Sequence, residues 1–504
     1  MEKDKNIYCI ILSFAILTWA GCQPVQPHSV AYALKKSGDN EVEIQKLLRR
    51  YNTQSDTLLR KSADFLIANM VGMSTDSISY VNAQSHRVPF DICLYENKKR
   101  FQDFLTSDDI SVQRYQIADL GFIKADYLEK NIDSAYTLFR NYGLRRKIPF
   151  EVYCNYLLPY KLGDERIEDW RRFFSGKFNT LVRDSNMSAK EIYKAVDKDI
   201  NQWFTYNKEY VPALNTLSLS QALELRSGNC LDIANLHIAA LRAIGIPAAL
   251  EIVPYWGNNN FGHSECAYWD DESAGFKLPD SLRFYYGAPK VFRKTFAAQE
   301  SEAARLNKLG VKKMNIPELF FNDRLQDITT FRTNAGNIVL AESMAPENEV
   351  IFLCVYNAAK WEAISWAVAG KNGRLTFPNV GRNIVYTLAT YHKGTYTLQG
   401  TPFLHKKDGQ IEFFREIAKE QTEDICVEGT GVDEWLGIQP GHQYQLYYWD
   451  VATHHWCLIK NTSATDHILT FTAVPQKTLL RLAKAGSTGM ERFFTYESNK
   501  QIWR

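Results

Sequence analysis

The stretch RSGNCLDIANLHIAALRAIGIPAAL, at residues 226–250, decides the fold of this chain. After Cys230 its apolar residues recur at close to helical spacing, and Asn229 is a suitable residue to cap the first turn. Gly245 ends the helical pattern, and Pro247 keeps the helix from restarting. The residues that follow, AALEIVPYW, are branched and aromatic enough for a buried strand. The stretch therefore predicts a helix that begins at Cys230 and leads into a strand.

The predicted position of Cys230 has a chemical consequence. Unpaired N–H groups and the helix dipole favour negative charge in the first turn of a helix. A thiolate is stabilised at such a place, and the pKa of the cysteine falls. A free cysteine is otherwise commonly a small buried hydrophobic residue. For Cys230 taken alone, that interpretation competes with a reactive thiol.

Two later pieces, FGHSECAYWD and AGFKLPDS, supply a histidine and an aspartate. Both have strand composition, and the DDES between them is typical of a turn, so Asp270 and Asp271 are interpreted as turn residues. In an antiparallel pair of this kind, His263 and Asp280 become lateral neighbours. An imidazole beside the Cys230 thiol can take its proton, and a carboxylate behind the imidazole fixes its tautomer. The three residues together indicate nucleophilic chemistry.

The stretch GNCLDIANLHIAALRAIGIPAA resembles the cysteine helix of the transglutaminase-like superfamily of acyl-transfer enzymes, with its LRA-GIP continuation. The resemblance implies a papain-like thioester mechanism. Cys230 would be the nucleophile, His263 the general base and then acid, and Asp280 the orienting carboxylate. The oxyanion would be held by the Cys230 backbone N–H and by an upstream side chain, for which Trp203 and Gln221 are both candidates. No metal or organic cofactor is implied.

The histidine strand departs from the family's usual pattern. The family places an aromatic and an acidic residue soon after the histidine, in a pattern like H-x-W-x-E. Here the residues after His263 are SECA, so the Trp and the later Glu are absent. The departure leaves Cys230 and His263 in place. It favours an alternative function, a catalytically silent binding or scaffold protein that retains the fold.

Residues 1–21 have the form of a signal peptide. A short charged segment precedes an apolar run at residues 7–20, which is too short to span a bilayer comfortably. The segment resembles a bacterial lipoprotein signal, with Cys22 as the lipid-modified first residue of the mature chain. Trp19 stands where Leu is usual, and an ordinary secretion signal is the alternative. Gln23 does not resemble an inner-membrane retention signal, so we expect an extracytoplasmic protein anchored to the outer membrane.

Composition limits the other classes of function. The 504 residues are 45% hydrophobic and 13% aromatic, which is enough for several cores. Net charge is only +2 and no basic run is present, so nucleic-acid binding is not indicated. The cysteines form no CxxC or other close pair, so neither a zinc site nor a disulfide framework is indicated. His454 and His455 are adjacent, and adjacent strand residues face opposite sides, so a metal pair is not predicted there.

The periodicity of the chain predicts an α+β fold with several parts. Helical spacing dominates up to about residue 185, and MSAKEIYKAVDKDINQWF begins with a capping box at Ser188 and Glu191. Near residue 345 the period changes to two, with turn pairs at Asn372-Gly373 and Asp408-Gly409. The predicted parts are a signal peptide at 1–21, a helical N-terminal region at 22–164, a transglutaminase-like core at 165–295, a connector at 296–344, and antiparallel β-sandwich modules at 345–420 and 421–504.

The sequence as a whole predicts an extracytoplasmic cysteine acyl-transfer enzyme that acts on peptide or side-chain amides. Hydrolysis, by a peptidase or amidase, is favoured over cross-linking on the resemblance alone. The expected partners are a peptide or protein substrate, a cell-wall or surface polymer included, and the membrane through the lipid anchor only. The alternative is the catalytically silent lipoprotein of the same fold.

Overall fold

The computed structural model of the protein describes residues 28–183, 187–211, 216–279, 287–341, 345–414, 421–431, 437–487 and 490–504. Within these ranges, no helix has the length and apolar character needed to cross a bilayer. The cysteines of the same ranges are all free thiols.

The N-terminal region combines helices with a small antiparallel sheet. Its elements are α1 Val30–Ser37, α2 Glu41–Asn52, α3 Thr57–Asn69, β1 Ser74–Val81, β2 Arg87–Val88, α4 Lys98–Ser107, β3 Ser111–Ala118, α5 Ala125–Tyr142 and α6 Phe150–Tyr156. The strand order is β2-β1-β3. The helices follow the predicted spacing, but the sheet was not predicted. Most of β3 is exposed, so its sequence carries no alternation between buried and exposed residues.

The core is built around one buried helix and a five-stranded sheet. Its elements are α7 Trp170–Phe178, α8 Thr180–Arg183, α9 Ala189–Ile200, β4 Thr205–Tyr206, α10 Leu219–Leu225, β5 Ser227–Gly228, α11 Cys230–Ala243, β6 Ala248–Val253, β7 His263–Asp270, β8 Gly275–Lys277, β9 Phe292–Lys294, α12 Glu302–Lys308, β10 Leu325–Asp327 and α13 Thr329–Arg332. The sheet is antiparallel, in the order β10-β9-β6-β7-β8. The helix α11 packs between this sheet and the helices α7 and α9.

The ends of α11 lie where the sequence predicts them. The Asn229 side chain accepts hydrogen bonds from the N–H groups of Leu231 and Asp232, at 2.8 and 3.2 Å. In return the Asp232 carboxylate accepts from the Asn229 N–H at 3.0 Å, which completes a capping box. After the helix, Gly245 has a φ of +88°, which glycine adopts without strain. The predicted helix from Cys230 and the strand after it are confirmed.

Two antiparallel β modules complete the chain. The first contains β11 Ala335–Leu340, β12 Val350–Asn357, β13 Lys360–Val368, β14 Leu375–Gly381, β15 Ile384–His392, β16 Thr395–His405 and β17 Ile411–Phe413. The second contains β18 Thr422–Val427, β19 Gln443–Asp450, β20 His455–Ser463, β21 Leu469–Pro475, β22 Leu480–Lys484, β23 Phe493–Glu497 and β24 Lys500–Trp503. Each places a five-stranded sheet and a two-stranded sheet around an apolar core. The predicted α+β fold class, with helices first and antiparallel sheets last, is confirmed.

Two details of the first module differ from expectation. Its first strand, β11, falls in the segment predicted as a connector and pairs with β14. The Asn372-Gly373 turn has positive φ at both residues, as its sequence predicts. It joins β13 to β14, which lie in different sheets, so it does not close a hairpin. The Asp408-Gly409 turn does close one, between β16 and β17.

Candidate active site

Cys230 and His263 come from two different elements of the core. Cys230 is the first residue of α11, where Asn229 caps the helix. His263 is the first residue of β7 and pairs with Val253, the last residue of β6. The His263 side chain lies within hydrogen-bonding reach of the Cys230 thiol. The structure thus brings together the two side chains that the sequence predicts as nucleophile and base.

The surroundings of Cys230 favour the thiolate. Burial raises the pKa of this thiol, but the hydrogen bond and the charge of His263 lower it. The backbone N–H groups of Ser264 and Leu231 lower it further, and the resulting pKa is below the ordinary value of a cysteine. The opposite holds at Cys154, where burial is the main cause of a pKa raised to about 12. The lowered pKa of Cys230 is therefore caused by its hydrogen-bond partners, and burial acts against it.

A carboxylate lies beside the imidazole on the same strand. The Nε2 atom of His263 and the Oε2 atom of Glu265 are 3.3 Å apart, and both side chains are mostly shielded from solvent. The Trp256 ring also lies against the imidazole, with the ring centroids 6.2 Å apart. Sequence reasoning missed Glu265 in this place, although residues two apart on a strand share a face and could have indicated it.

Two predicted residues lie outside the described residues. Asp280 is the predicted orienting carboxylate, and Cys22 is the predicted lipidation site. Both roles stay predictions.

Each oxyanion candidate makes a hydrogen bond at the end of a helix, Trp203 just after α9 and Gln221 at the start of α10. The Trp203 indole N–H donates to the Asp199 carboxylate at 3.3 Å. The Gln221 Oε1 atom accepts from the Ser218 N–H at 3.0 Å, in the capping box of α10. Among the described residues, no hydrogen bond joins either side chain to Cys230. The structure does not choose between them. It places a backbone group, the Ser264 N–H, near the sulfur instead.

The cap of α11 carries a second ionisable group near Cys230. Burial raises the pKa of Asp232 to about 6, although the N–H groups of Asn229 and Leu217 act in the other direction. The charge of Asp164 adds to the rise. Since Asp232 is protonated at mildly acidic pH, the negative charge beside the helix terminus decreases there.

The loop before His263 is anchored by the first β module. Asn357, the last residue of β12, is only 3% exposed. Its Oδ1 atom accepts from the Phe261 N–H at 2.8 Å. Its Nδ2 group lies within hydrogen-bonding distance of the carbonyls of Trp256, Asn259 and Phe261, at 3.1, 3.2 and 2.9 Å. One amide side chain therefore fixes the backbone on both sides of the loop that leads into β7.

The second β module reaches the same loop. The buried Arg492 guanidinium donates to the Gly257 carbonyl at 2.6 Å and also to the carbonyl of Tyr356. The Asn260 side chain donates to the Met490 carbonyl at 2.7 Å. The position of His263 thus depends on residues from three parts of the chain.

The comparisons with known proteins concern the part of the chain that carries this site. Residues 179–280 match the family model of the transglutaminase-like superfamily, and the match includes Cys230, His263 and Asp280. The chain carries a transglutaminase-like domain. The resemblance seen in the sequence is thereby confirmed. No match is found among curated proteins.

Two solved structures show distant likeness to the chain. A red sea bream transglutaminase is 9% identical, and the alignment covers 90% of this chain and 79% of that one, with a TM-score of 0.19. A tetra-tandem repeat from the extending region of a large adhesion protein is also 9% identical, over 47% of this chain and 62% of that one, with a TM-score of 0.10. At these TM-scores neither likeness carries an argument, so the family rests on residues 179–280.

The arrangement in the transglutaminase-like domain is suited to one kind of chemistry. A thiol with a lowered pKa at a helix N-terminus, beside an imidazole with a carboxylate neighbour, can attack a carbonyl carbon. The fold is that of cysteine-protease-like acyl-transfer enzymes and of their catalytically inactive relatives. In a catalytically active member, the reaction at such a site is acyl transfer.

Proposed function

We propose that this protein is a lipid-anchored, extracytoplasmic cysteine enzyme that cleaves a peptide or side-chain amide through a thioester. Water is the proposed acceptor, in preference to an amine. Cys22 is the proposed anchor, in the outer membrane, and the substrate is a peptide or protein, a cell-wall or surface polymer included. The observation that supports the activity most directly is the hydrogen bond between Cys230 and His263, with the lowered pKa of the thiol.

The first half of the proposed reaction forms the thioester. His263 takes the thiol proton, and the Cys230 sulfur attacks the carbonyl carbon of the amide. The Cys230 N–H at the helix start holds the resulting oxyanion. The carbon–nitrogen bond then breaks, and the amine leaves with the proton that His263 returns.

The second half of the proposed reaction releases the acid. Water attacks the thioester carbon and gives a proton to His263, the carbon–sulfur bond breaks, and the thiolate takes that proton back. Glu265 stabilises the imidazolium that forms in both halves, since its carboxylate lies 3.3 Å from Nε2. Asp280 keeps the orienting role that the resemblance assigns to it.

The test is the pH dependence of iodoacetamide labelling, read at each cysteine by mass spectrometry. Cys230 should react at a lower pH than an ordinary thiol and well below pH ~7, because its bonds to His263 and to backbone N–H groups lower its pKa. The exposed Cys426 serves as the control thiol within the same sample. The change His263→Ala should remove the advantage of Cys230 and leave Cys426 unchanged. If Cys230 labels no faster than Cys426 at every pH, the enzyme proposal fails.

A second experiment separates the enzyme from the silent lipoprotein. The purified protein is incubated with peptide and cell-wall amide libraries, with and without hydroxylamine, and Cys230→Ala is the control. Hydrolysis shows as a new carboxylate that Cys230→Ala does not form, and amine transfer shows as a hydroxamate. An activated Cys230 that forms neither product supports the binding or scaffold alternative.

A further inference from the structure

A large cleft lies between the two β modules, separate from the residues that surround Cys230. Its volume is about 820 Å³, within the range of ~300–1,000 Å³ that ligand sites occupy. The first module forms one side through β13 and β16, and the second forms the other through the ends of β19 and β20. The core closes one end with Tyr255, and the segment at Pro317 borders it. The cleft therefore exists only when both modules and the core are assembled.

The floor of this cleft is a quartet of aromatic rings that the two modules supply from equivalent positions. Tyr356 and Trp449 are the next-to-last residues of β12 and β19, and Trp361 and Trp456 are the second residues of β13 and β20. Within each module the two rings meet edge to face, at 5.4 and 5.1 Å between centroids. Across the modules the distances are 6.0 and 6.3 Å. The same pair of positions thus builds both halves of the floor.

The walls add further rings that solvent can reach. Tyr255, Tyr391 and Tyr396 are half-buried, and the centroids of the last two are 4.7 Å apart. Aromatic rings on several sides of an open cleft favour ligands whose rings have apolar faces that can stack on them.

The cleft also carries two carboxylates, on Glu318 and Glu362. Neither has a hydrogen bond or a salt bridge to a described residue. Burial raises the pKa of the nearby Tyr255 hydroxyl to about 12, and the charges of both carboxylates contribute to that rise. The two acceptors therefore converge on the same end of the cleft. Glu318 is exposed and Glu362 is partly buried, so both carboxylates are free to accept hydrogen bonds from a ligand in the cleft.

Hydrogen-bond donors line the cleft as well. The Lys360 ammonium lies close enough to Glu362 to lower the pKa of that carboxyl, which burial raises overall. His455 and the hydroxyls of Thr395 and Thr397 lie on the same lining. The Lys360 ammonium would repel a purely cationic ligand. A hydroxyl group, in contrast, can donate a hydrogen bond to a carboxylate and accept one from an ammonium. The lining therefore favours a ligand with many hydroxyl groups and apolar ring faces.

We propose that this cleft binds an oligosaccharide, with its sugar rings stacked on the aromatic walls and its hydroxyls bonded to Glu362 and Lys360. The site is independent of turnover at Cys230. It would give the protein a glycan-binding function whether or not the transglutaminase-like domain is active.

The test is a titration of the full chain, followed by tryptophan fluorescence, with cellohexaose, chitohexaose, xylohexaose and maltohexaose. At least one of these should change the fluorescence, because Trp361, Trp449 and Trp456 lie at the floor. Glu362→Gln and Tyr396→Ala should each weaken that binding by about tenfold, which corresponds to ~1.4 kcal/mol. Tyr115→Ala, at a half-exposed tyrosine on β3, is the matched control and should leave the affinity unchanged.

Three outcomes overturn the proposal. One is that none of the four saccharides binds. Another is that a saccharide binds equally well to Glu362→Gln, Tyr396→Ala and the parent chain. The third is that hexalysine binds in the cleft and the saccharides do not, which would assign the cleft to a basic peptide.

Discussion

The two C-terminal modules share one topology, but the residues at the ends of their equivalent strands make different contacts. In each, the five-stranded sheet has the module's third, second, fifth, sixth and seventh strands in that order, and the two-stranded sheet pairs the first strand with the fourth. The irregularities in pairing also match, with one bulge after the fourth residue of β12 and one after the fourth residue of β19. The equivalent strands end differently. β12 ends in the buried Asn357, and β19 ends in Asp450.

These two residues differ in whether they bond within their own module or outside it. Asp450 bonds within its own hairpin, to the N–H groups of Ala452 and Thr453 at 2.8 and 3.1 Å. Asn357 bonds outside its module, to the loop that leads into His263. At equivalent positions, the second module therefore has a residue that stabilises its own turn, and the first module has one that holds the loop before His263.

The largest expected effect comes from Asn357→Ala. The change removes the bond to the Phe261 N–H and the bonds to the carbonyls of Trp256 and Asn259, and it leaves a small cavity at a buried position, so we expect a loss of about 3 kcal/mol in the free energy of unfolding. The labelling advantage of Cys230 at low pH should fall as well, because His263 is no longer held in place. Urea unfolding and per-cysteine labelling measure the two effects, and hydrogen exchange at residues 256–262 locates the change.

Asp450→Ala is the matched control for this prediction. Its side chain is only partly buried and bonds only within its own hairpin, so the loss in unfolding free energy should stay under about 1 kcal/mol. The labelling of Cys230 should be unchanged. Equal effects of the two substitutions on Cys230 would show that the modules do not differ as described.

A smaller effect is expected from Asn260→Ala, which tests the bonds from the core loop to both modules. The Asn260 side chain donates to the Met490 carbonyl at 2.7 Å and accepts from the Ala358 N–H at 3.1 Å. Loss of both bonds should cost about 1.5 kcal/mol. The side chain of the neighbouring Asn259 bonds, among the described residues, only to the Asn260 N–H, so Asn259→Ala should cost about 0.5 kcal/mol or less. The prediction is wrong if Asn260→Ala and Asn259→Ala lower the free energy of unfolding by the same amount in urea titrations.

The smallest effect concerns the turn that follows Asn357. Ala358 and Ala359 have φ values of +47° and +65°, a region that glycine adopts without strain. Ala359→Gly should therefore stabilise the protein by about 1 kcal/mol, measured by the same urea titration. His454 occupies a positive φ of +56° in the corresponding turn of the second module, and His454→Gly should act in the same direction. A loss of stability in both variants would contradict this account of the turns.

Local features of the fold could be read from the sequence. Asn229 caps its helix, Gly245 follows it with positive φ, and the Ser188 capping box forms as its spacing predicts. Each of these depends on residues within one turn of a helix, so sequence neighbours carry the whole signal. The meeting of Cys230 and His263 was also predictable, through the order of the helix and the strands.

Other features depend on partners far apart in the chain. Asn357 is 96 residues from Phe261, and no sequence pattern marks it as the anchor of that loop. The duplicated topology of the modules has a counterpart in the sequence that sequence reasoning missed, because it is short and its two copies are 94 residues apart: β14 begins with LTFPNV and β21 with LTFTAV, and the Leu, Phe and Val of both are buried. The exposed β3 has no buried face to set its pattern. Glu265 is different, since its neighbour His263 is only two residues away and strand geometry indicates the contact.

The most direct test of the whole account is the pKa of Cys230 itself, obtained from the ultraviolet absorbance of the thiolate as a function of pH. Subtracting the titration of Cys230→Ser from that of the parent chain isolates this one thiol. The account predicts a midpoint below the ordinary ~8.5, and a midpoint that rises in His263→Ala. A midpoint at or above the ordinary value in the parent chain, unchanged by His263→Ala, would contradict it.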